Sequence, residues 1–339
     1  MAYAPSIITK GRMPYAPTWN TLMKCITRMI AAALLLLLAS CDKTPVPPLV
    51  LGASVWPGYE PIYLAREQGY FAEVNLRLSE QASPAEVKAA FRKHELHVAA
   101  VSLDEALQLR RDIPDLKIVL LSDASKGADV ILAQSGISNM KQLQGRRVGI
   151  ANSTQAAYFL NLALKSAGMQ AGQVEVVSVP VEAQEAAFRA HKVDALVGVE
   201  PARMLETGAQ ILFDSSRVQG KIFHVLVTRD EDIGRYHHDI VGLLRGWRRA
   251  LEFIRTEPDK AVQAMAAREK ITPAQFGKAL QGIELLGMQR NSELLVGEQP
   301  AVGASVDELQ HFMLERGLIN MGADTATLLD TGPLTEAMK

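Results

Sequence analysis

The sequence predicts an α/β fold of two lobes joined by two crossings of the chain. From residue 49 onward, short apolar segments of strand character alternate with amphipathic segments of helix character, which is the pattern of α/β proteins. These segments fall into two groups. Two extended segments connect the groups, one in each direction. We therefore expect residues 49–125 and 225–320 to form lobe 1 and residues 129–220 to form lobe 2, joined by a two-segment hinge.

Helix-start signals fix several predicted elements of lobe 1. Pro61 stands where a first helical turn tolerates proline, and Ser83, Pro84 and Glu86 form a capping sequence ahead of a helix. The predicted segments are the strand LVLGAS (49–54), a helix from Pro61 to about Gly69, the strand NLRLSE (75–80), the helix SPAEVKAAFRKHEL (83–96), the strand HVAAVS (97–102), the helix Asp104–Arg111 and the strand LKIVLLSD (116–123).

The clearest helix predicted for lobe 2 follows a strand at Arg147–Ala151. Asn152 can cap this helix, Gln155 can reach back to the cap, and Gly168 suits its C-terminal end. The other predicted segments are the strand VILAQ (130–134), the strand VEVVSVP (174–180), the helix VEAQEAAFRAHK (181–192), the strand VDALVGVEP (193–201) and the strand AQILFDSS (209–216).

After the strand KIFHVLVTRD (221–230), the chain is predicted to be helical from His238 onward. The predicted helices cover residues 239–255, 258–269, 272–286 and 305–318. The tail, residues 321–339, is expected to be loose.

The N-terminus predicts export. Lys24 and Arg28 precede an apolar run, Met29–Ala39, which is too short to span a bilayer and reads as a secretory signal. The end of that run resembles the lipobox of bacterial lipoproteins, which implies that Cys41 is lipidated and that Asp42 favours retention at the inner membrane. On this interpretation residues 1–40 are a signal peptide and residues 41–48 a Pro-rich linker. An ordinary signal and an uncleaved anchor stay open, and Met23 is a possible true start.

The composition excludes several classes of function. The net charge of −1 and the pI of about 6.7 argue against a nucleic-acid-binding surface. Both cysteines, Cys25 and Cys41, lie at or before the proposed cleavage point, which excludes disulfides, cysteine catalysis and cysteine-ligated metal from the exported body. The HELH segment at His94–His97 is one residue too short for a zinc helix motif. No catalytic constellation, cofactor or metal is predicted.

Five strand-end loops are candidates for holding a small molecule, because ligands of α/β sheets bind outside the carboxyl ends of the strands. Each has an alternative role: the aromatics as core filler, the polar residues as caps or turns, and Glu200 as a solvated side chain. Free N–H groups at the predicted helix start favour an anion, whereas Glu200 would favour an amine. The candidate residues are Trp56, Tyr59, Ser102, Asp123, Asn152, Ser153, Thr154 and Glu200.

Several ordered motifs resemble the nitrate/sulfonate/taurine-type substrate-binding proteins of ABC transporters. These motifs are SVWPGYEPIYLAREQGYFAEVNLRL, SGISNMKQLQGRRVGIANST and VDALVGVEPARMLETGAQILFDSS, within a resemblance over residues 49–320. It implies a periplasmic-binding-protein fold of type II, which closes on its ligand by hinge motion, and a monomer that delivers the ligand to a membrane permease with a cytoplasmic ATPase. It also implies that Trp56, Tyr59, Asn152, Ser153, Thr154 and Glu200 line the cleft.

The sequence leaves the ligand and two alternative functions open. A sulfonate, taurine, an amine or a heterocycle is possible, although no basic residue stands within the loop Asn152–Gln155. One alternative is an enzyme of the same fold, such as those of thiamine-pyrimidine or menaquinone biosynthesis, which work in the cytoplasm. The other is a ligand sensor that binds a signalling partner.

Overall fold

Two mixed β-sheets organise the part of the chain that the structure, a computed structural model, describes. The described residues are 46–198 and 208–339, with isolated positions at 1, 19–20, 23–24 and 27–28. Residues Met1–Pro47 separate from Pro48–Lys339 as a unit of their own. The proposed signal peptide and Cys41 lie outside the described residues except at those isolated positions, as does Glu200.

The strands and helices alternate through the first two thirds of the described chain. The strands are β1 (Leu49–Ala53), β2 (Leu76–Glu80), β3 (Val98–Ser102), β4 (Leu116–Ser125), β5 (Val130–Ala133), β6 (Arg147–Ile150), β7 (Glu175–Ser178), β8 (Ala195–Gly198), β9 (Gln210–Asp214), β10 (Phe223–Arg229) and β11 (Ile283–Leu285). The helices are α1 (Glu60–Glu67), α2 (Pro84–Arg92), α3 (Leu103–Asp112), α4 (Thr154–Ser166), α5 (Gln184–Arg189), α6 (Asp230–Arg235), α7 (His237–Thr256), α8 (Pro258–Glu269), α9 (Pro273–Gln281), α10 (Met288–Leu295), α11 (Gly303–Glu315), α12 (Thr325–Leu328) and α13 (Gly332–Ala337).

The first sheet has the strand order β11-β4-β10-β3-β1-β2 and the second has β7-β6-β8-β5-β9. In the first, β1 is parallel to β2 and β3, while β10 runs antiparallel between β3 and β4. In the second, β6 is parallel to β7 and β8, and β5 runs antiparallel to β8 and β9. The chain crosses between the sheets after β4 and again after β9, so the predicted fold class of two α/β lobes is confirmed.

Local capping explains where the key helices begin. The Ser83 hydroxyl accepts a hydrogen bond from the Glu86 N–H at 3.2 Å, as predicted, and Ser153 does the same for Ala156 N–H at 3.1 Å. The prediction that Asn152 caps α4 is therefore wrong by one residue. Gln155 does not reach back to the cap, because its side-chain amide donates to Asp129 at 3.2 Å.

The helix predicted over residues 272–286 is in fact a shorter helix, α9, followed by the edge strand β11. The cause is a close approach to the first crossing, since the Gly282 carbonyl accepts from the N–H groups of Lys126 and Ala128 at 2.8 and 2.9 Å. A Cβ on Gly282 would lie only 3.0 Å from the Ala128 backbone. The helix therefore stops here and the chain joins the sheet beside β4.

The expectation of a loose tail is wrong. Residues after Met321 form α12 and α13, and Leu328, Leu334 and Ala337 are fully buried in the core of lobe 1. Leu329 also forms an isolated parallel bridge with Ile118 of β4. The apolar residues of this tail are irregularly spaced, so the sequence shows no helical periodicity there. They nevertheless carry enough apolar surface to pack against lobe 1.

Each sheet carries its own buried core. The larger core lies on lobe 1 and includes the fully buried Trp247, whose indole N–H donates to the Leu286 carbonyl at 3.1 Å. Two smaller clusters cover the sheet of lobe 2, one centred on Phe159 and Phe213 and the other on Phe188. Over the described ranges, no helix combines the length and the apolar character that a bilayer crossing needs.

Candidate ligand-binding cleft

A cavity of about 260 Å³ lies between the two lobes. Lobe 1 contributes the ends of β1 and β3 and the start of β10, and lobe 2 contributes the start of α4, α5 and the end of β8. Its aromatic and polar lining includes Trp56, Tyr59, Ser102, Asp104, Glu105, Asp129, Ser153, Gln155, Gln184 and His224. The cavity therefore lies at the strand ends where the fold class predicts a ligand.

One wall of the cavity is aromatic. The indole N–H of Trp56 donates to Asp123 Oδ2 at 3.2 Å, and the Trp56 and His224 rings lie 4.5 Å apart between centroids. Tyr59 meets the His224 ring edge-on at 5.7 Å and is only 3% exposed. The turn that carries both aromatics passes so close to Asp123 that a Cβ on Gly58 would lie 1.9 Å from its Oδ2, so this position requires glycine.

A row of polar residues crosses three adjacent strands beneath the aromatic wall. Strand register pairs His224 of β10 with Ser102 of β3 on one side and with Asp123 of β4 on the other. His224 Nδ1 lies 2.9 Å from Asp123 Oδ1, while the Ser102 hydroxyl donates to Asp104 Oδ1 at 2.6 Å. Burial opposes protonation of His224, but the Asp123 carboxylate outweighs it and raises the pKa of His224. The row is therefore an ion pair beside a serine whose hydroxyl is engaged elsewhere.

Carboxylates dominate the polar lining. Asp104 is 5% exposed, and its burial, reinforced by neighbouring Glu105, raises its pKa to about 6. Asp129 is also 5% exposed, and burial raises its pKa although Ser125 and Gln155 donate hydrogen bonds to it. Within the described part of the chain, no lysine or arginine lines the cavity. Behind the lining, Lys88 pairs with Glu105 at 3.0 Å.

The start of α4 forms the facing wall on lobe 2. Ser153 lines the cavity and caps the helix, whereas Thr154 is buried and its hydroxyl accepts from the Gln108 amide of lobe 1 at 2.9 Å. Gln184 of α5 is 8% exposed and donates to the Val197 carbonyl at 3.5 Å. The two lobes thus touch beside the cavity as well as at the hinge.

The structure brings most of the predicted candidates together. Trp56, Tyr59, Ser102 and Ser153 line the cavity, and Asp123 lies directly behind its aromatic wall. Thr154 points to the contact between the lobes. The prediction that Asn152 lines the cleft is not met, because this side chain is exposed outside the cavity once Ser153 takes the capping position.

Several cavity residues were not among the sequence candidates, including His224, Asp104 and Gln184. His224 lies inside a buried strand and gives no loop signal, so only the pairing of β10 with β3 and β4 reveals it. Asp104 belongs to the candidate loop that follows Ser102, but its residue type is more often a cap or turn residue than a ligand, and it was not selected. Gln184 lies on a predicted helix and gives no loop signal. Burial of a charged side chain next to a candidate loop is the property that distinguishes Asp104, and a sequence pattern does not report burial.

The HELH segment has a structural role. His97 accepts from the Val50 N–H at 2.9 Å and its other ring nitrogen lies 3.2 Å from the Tyr236 hydroxyl, whereas His94 is exposed. Across the residues that can be described, no group of three or more potential ligands is placed to hold a metal ion.

Known proteins of related sequence include binding proteins. A suspected binding protein of Brucella abortus is 25% identical over 182 residues, which cover 49% of this chain and 56% of that protein. The taurine-binding periplasmic protein of Escherichia coli is 28% identical over 114 residues, 33% of this chain and 35% of that protein. This chain therefore spans about half or less of the length of the curated relatives it matches.

Solved structures show the same fold. The periplasmic aliphatic sulphonate-binding protein SsuA from Escherichia coli superposes with a TM-score of 0.72 at 17% identity, covering 84% of this chain and 92% of that one. The desulfurization enzyme DszB superposes with a TM-score of 0.64 at 16% identity, covering 85% and 98%. At these identities the likeness establishes the periplasmic-binding-protein fold and no more.

The family follows from the sequence itself. Residues 56–261, more than half of the chain, match the family described as NMT1/THI5 like. The match begins at the cavity aromatic Trp56 and runs through both lobes. The family-level resemblance predicted from the motifs is confirmed, and the chain belongs to the NMT1/THI5-like family.

Proposed function

We propose that this protein is the solute-binding receptor of an ABC importer. In this role it captures a small organic solute in the cleft between the lobes and delivers it to a membrane permease that works with a cytoplasmic ATPase. The observation that carries the proposal is the cavity of about 260 Å³, which is built from the strand ends of both lobes and lined by aromatic and polar side chains. The names of the taurine- and sulphonate-binding relatives support a solute of this size.

The connection between the lobes supports closure around a ligand. Both crossings meet at one polar cluster, in which Ser125 Oγ lies 2.7 Å from Ser215 Oγ and the Gly127 N–H donates to Ser215 at 2.6 Å. Short tied crossings of this kind confine the change in backbone angles to a few residues, which is how hinge closure operates. Closure would bring α4 and the aromatic wall together over the solute.

The polar row argues for binding over catalysis. Ser102 and His224 are neighbours across two strands, but the Ser102 hydroxyl donates to Asp104 and not to His224. The sequence has no cysteine after Cys41, so residues 42–339 offer no thiol nucleophile. The fold is shared with the enzyme DszB, which makes a turnover assay a necessary part of the test.

Thermal stabilisation by solutes tests the proposal. A ligand that binds only the folded state at a hundred times its Kd should raise the free energy of unfolding by about 2.7 kcal/mol. We expect at least one compound in a broad panel of amines, amino acids, sulfonates and heterocycles to raise the Tm of the purified full-length protein without being consumed. Chemical turnover of a bound compound, or no stabilisation by any of them, would contradict the proposal.

We further propose that Cys41 is lipidated and anchors the protein to the inner membrane on its periplasmic side. The support is the order of basic residues, apolar run and Cys41 in the sequence, followed by the Pro-rich linker. Two acyl chains hold a protein firmly, whereas one holds it only marginally.

The Cys41→Ser variant should lose the anchor. We expect the wild-type protein in the membrane fraction and the variant in the soluble periplasmic fraction or retained with an uncleaved signal of higher mass. Cys25→Ser is the matched control, since this cysteine lies inside the proposed signal peptide. Equal membrane association of Cys41→Ser and wild type, with the same cleaved mass, would show that Cys41 carries no anchor.

A further inference from the structure

We infer that the cleft requires a protonated amine on its solute, held by Asp104 and Asp129 beside the acceptors of Tyr59 and Gln184. The inference rests on the proposed function and names the chemical class that the same cavity selects. It separates amines and zwitterions from solutes that carry only a negative charge, such as simple sulfonates.

Asp104 provides the main attraction. One of its oxygens accepts from the Ser102 hydroxyl, and the other oxygen has no hydrogen-bond partner among the residues that the structure describes. Asp104 is only 5% exposed, yet it lines the cavity. Because Asp104 lines the cavity, a donor on the solute can reach this second oxygen, and a charged donor satisfies a carboxylate best.

The other charges around the cavity leave a negative excess. Glu105 is paired with Lys88, and Asp123 is paired with His224, so these four groups balance. Within the described ranges, the side-chain hydrogen bonds that Asp129 accepts come from the neutral Ser125 and Gln155. Among the residues that the structure describes, no lysine or arginine forms an ion pair with Asp104 or Asp129, so a cationic solute would supply the missing positive charge.

Neutral acceptors complete the match to an ammonium group. Within the described ranges, the Tyr59 hydroxyl and Gln184 Oε1 have no hydrogen-bond partner, although both residues are more than nine-tenths buried and line the cavity. An ammonium group carries three donors and no acceptor, so it can use several such oxygens. The Trp56 and Tyr59 rings add faces that attract a cation.

The structure favours an anionic solute at the start of α4 less than the sequence did. The start of α4 offers backbone N–H groups, but Ser153 already accepts from the Ala156 N–H and Gln155 is drawn to Asp129. A sulfonate at this position would approach an uncompensated carboxylate with no lysine or arginine in the described lining to offset it. His224 Nε2 remains as one donor for an acceptor atom elsewhere on the solute.

Matched solutes give the test. Ethanolamine, taurine and isethionate share a two-carbon body and carry, respectively, an amine alone, an amine with a sulfonate, and a sulfonate alone. Benzylamine and benzenesulfonate repeat the comparison on an aromatic body. Binding to the full-length protein is measured by calorimetry at about pH 8, where Asp104 is ionised.

The carboxylate is tested by an isosteric exchange. We expect the amines to bind and the two pure sulfonates not to bind, and we expect Asp104→Asn to weaken amine binding at least about tenfold. Asp129→Asn should act in the same direction and serves where Asp104→Asn does not fold. Glu95→Gln is the control, because it removes the same charge from an exposed position at the opposite end of β3.

The outcomes separate this inference from the proposed function. Sulfonates that bind as tightly as the amines, or amine affinity within about twofold of wild type in both Asp variants, would overturn the amine requirement and leave the receptor function standing. Failure of every probe, together with failure of the broad solute panel, would overturn the receptor function and the inference with it.

Discussion

At the scale of single residues, Asp104 affects both the stability of the empty protein and its affinity for a solute. Its burial disfavours the charged form in the empty protein, and one of its oxygens is left for a ligand. Raising the pKa of a carboxyl from its ordinary value near 3.8 to about 6 corresponds to about 3 kcal/mol. Sites that bind often lower the stability of the free protein in this way.

Asp104→Asn should therefore stabilise the empty protein. The unfolded carboxyl titrates near 3.8 and the folded one near 6, so the folded state binds the proton more tightly and the free energy of unfolding falls as pH rises through this window. We expect the variant to exceed wild type by up to about 3 kcal/mol at about pH 8 and to equal it near pH 4. Urea unfolding across this range measures it, and a variant less stable than wild type at high pH would contradict the account.

Amine binding should weaken as the pH falls. Asp104 takes up a proton below about pH 6, whereas the raised pKa of His224 keeps its ring protonated to higher pH. The charged or titratable groups that face Asp104 are Glu105, Lys88 and His224, with Ser102 bonded to it. Calorimetry between about pH 5 and about pH 8 should show a clear loss of affinity in wild type and a smaller one in Asp104→Asn. Affinity that rises on acidification would contradict this prediction.

The two aromatics of the first turn should respond differently to mutation. Trp56 is half-buried, so Trp56→Ala should weaken solute binding more than it lowers stability. Tyr59 belongs to the core, so Tyr59→Ala should cost about 3–5 kcal/mol of stability. Tyr59→Phe keeps the ring and removes the hydroxyl, so we expect weaker amine binding with stability within about 1 kcal/mol of wild type. Unchanged affinity in both Trp56→Ala and Tyr59→Phe would show that this turn only packs the core and does not bind the solute.

At the scale of elements, the prediction succeeds where local chemistry decides. A helix cap or stop depends on a few neighbouring residues. The start of α2 at Ser83 and the end of α4 at Gly168, which has φ +70°, therefore match their predictions, whereas α2 ends at Arg92 and not at residue 96. Strand β11 and helices α12 and α13 do not match, because their conformation depends on distant partners. Strand β11 depends on the contact of Gly282 with the first crossing, and α12 and α13 follow the pairing of Leu329 with β4.

The packed tail gives a direct test at this scale. Leu334 of α13 is fully buried, whereas Thr335 beside it is exposed. Leu334→Ala should lower the free energy of unfolding by about 2–5 kcal/mol, because it removes buried methyl groups and leaves a cavity. Thr335→Ala is the control and should stay within about 0.5 kcal/mol of wild type. A loose tail, as the sequence suggested, would make the two variants indistinguishable in chemical unfolding.

The cavity residues also divide into those that a local sequence pattern predicts and those that depend on distant strand pairing. Trp56, Tyr59 and Ser102 were found because a turn or a strand end places them at the carboxyl edge of a parallel sheet. His224 was missed because it reaches that edge through the antiparallel strand β10, whose N-terminal end lies there. Strand direction within a sheet is set by the whole topology, and a linear pattern does not contain it.

At the scale of the whole molecule, the hinge and the contact between the lobes set the cavity. Gln108 bonds Thr154 across the lobes at 2.9 Å, and Tyr158 of α4 packs 5.2 Å from Phe312 of α11 between ring centroids. The hinge cluster around Ser215 ties both crossings on the other side. Motion of one lobe against the other must preserve or exchange these contacts, so the solute's interactions in the cleft decide which arrangement is populated.

Tryptophan fluorescence during solute titration tests the central claim most directly. Of the three tryptophans, Trp56 lines the cavity, and Trp247 is fully buried elsewhere and provides a constant background. We predict that an amine solute changes the emission saturably in wild type, that Trp56→Phe removes most of the change, and that Asp104→Asn shifts the midpoint to at least about tenfold higher concentration. A saturable solute response that both variants retain at the wild-type midpoint would place the binding site outside this cleft and contradict the account.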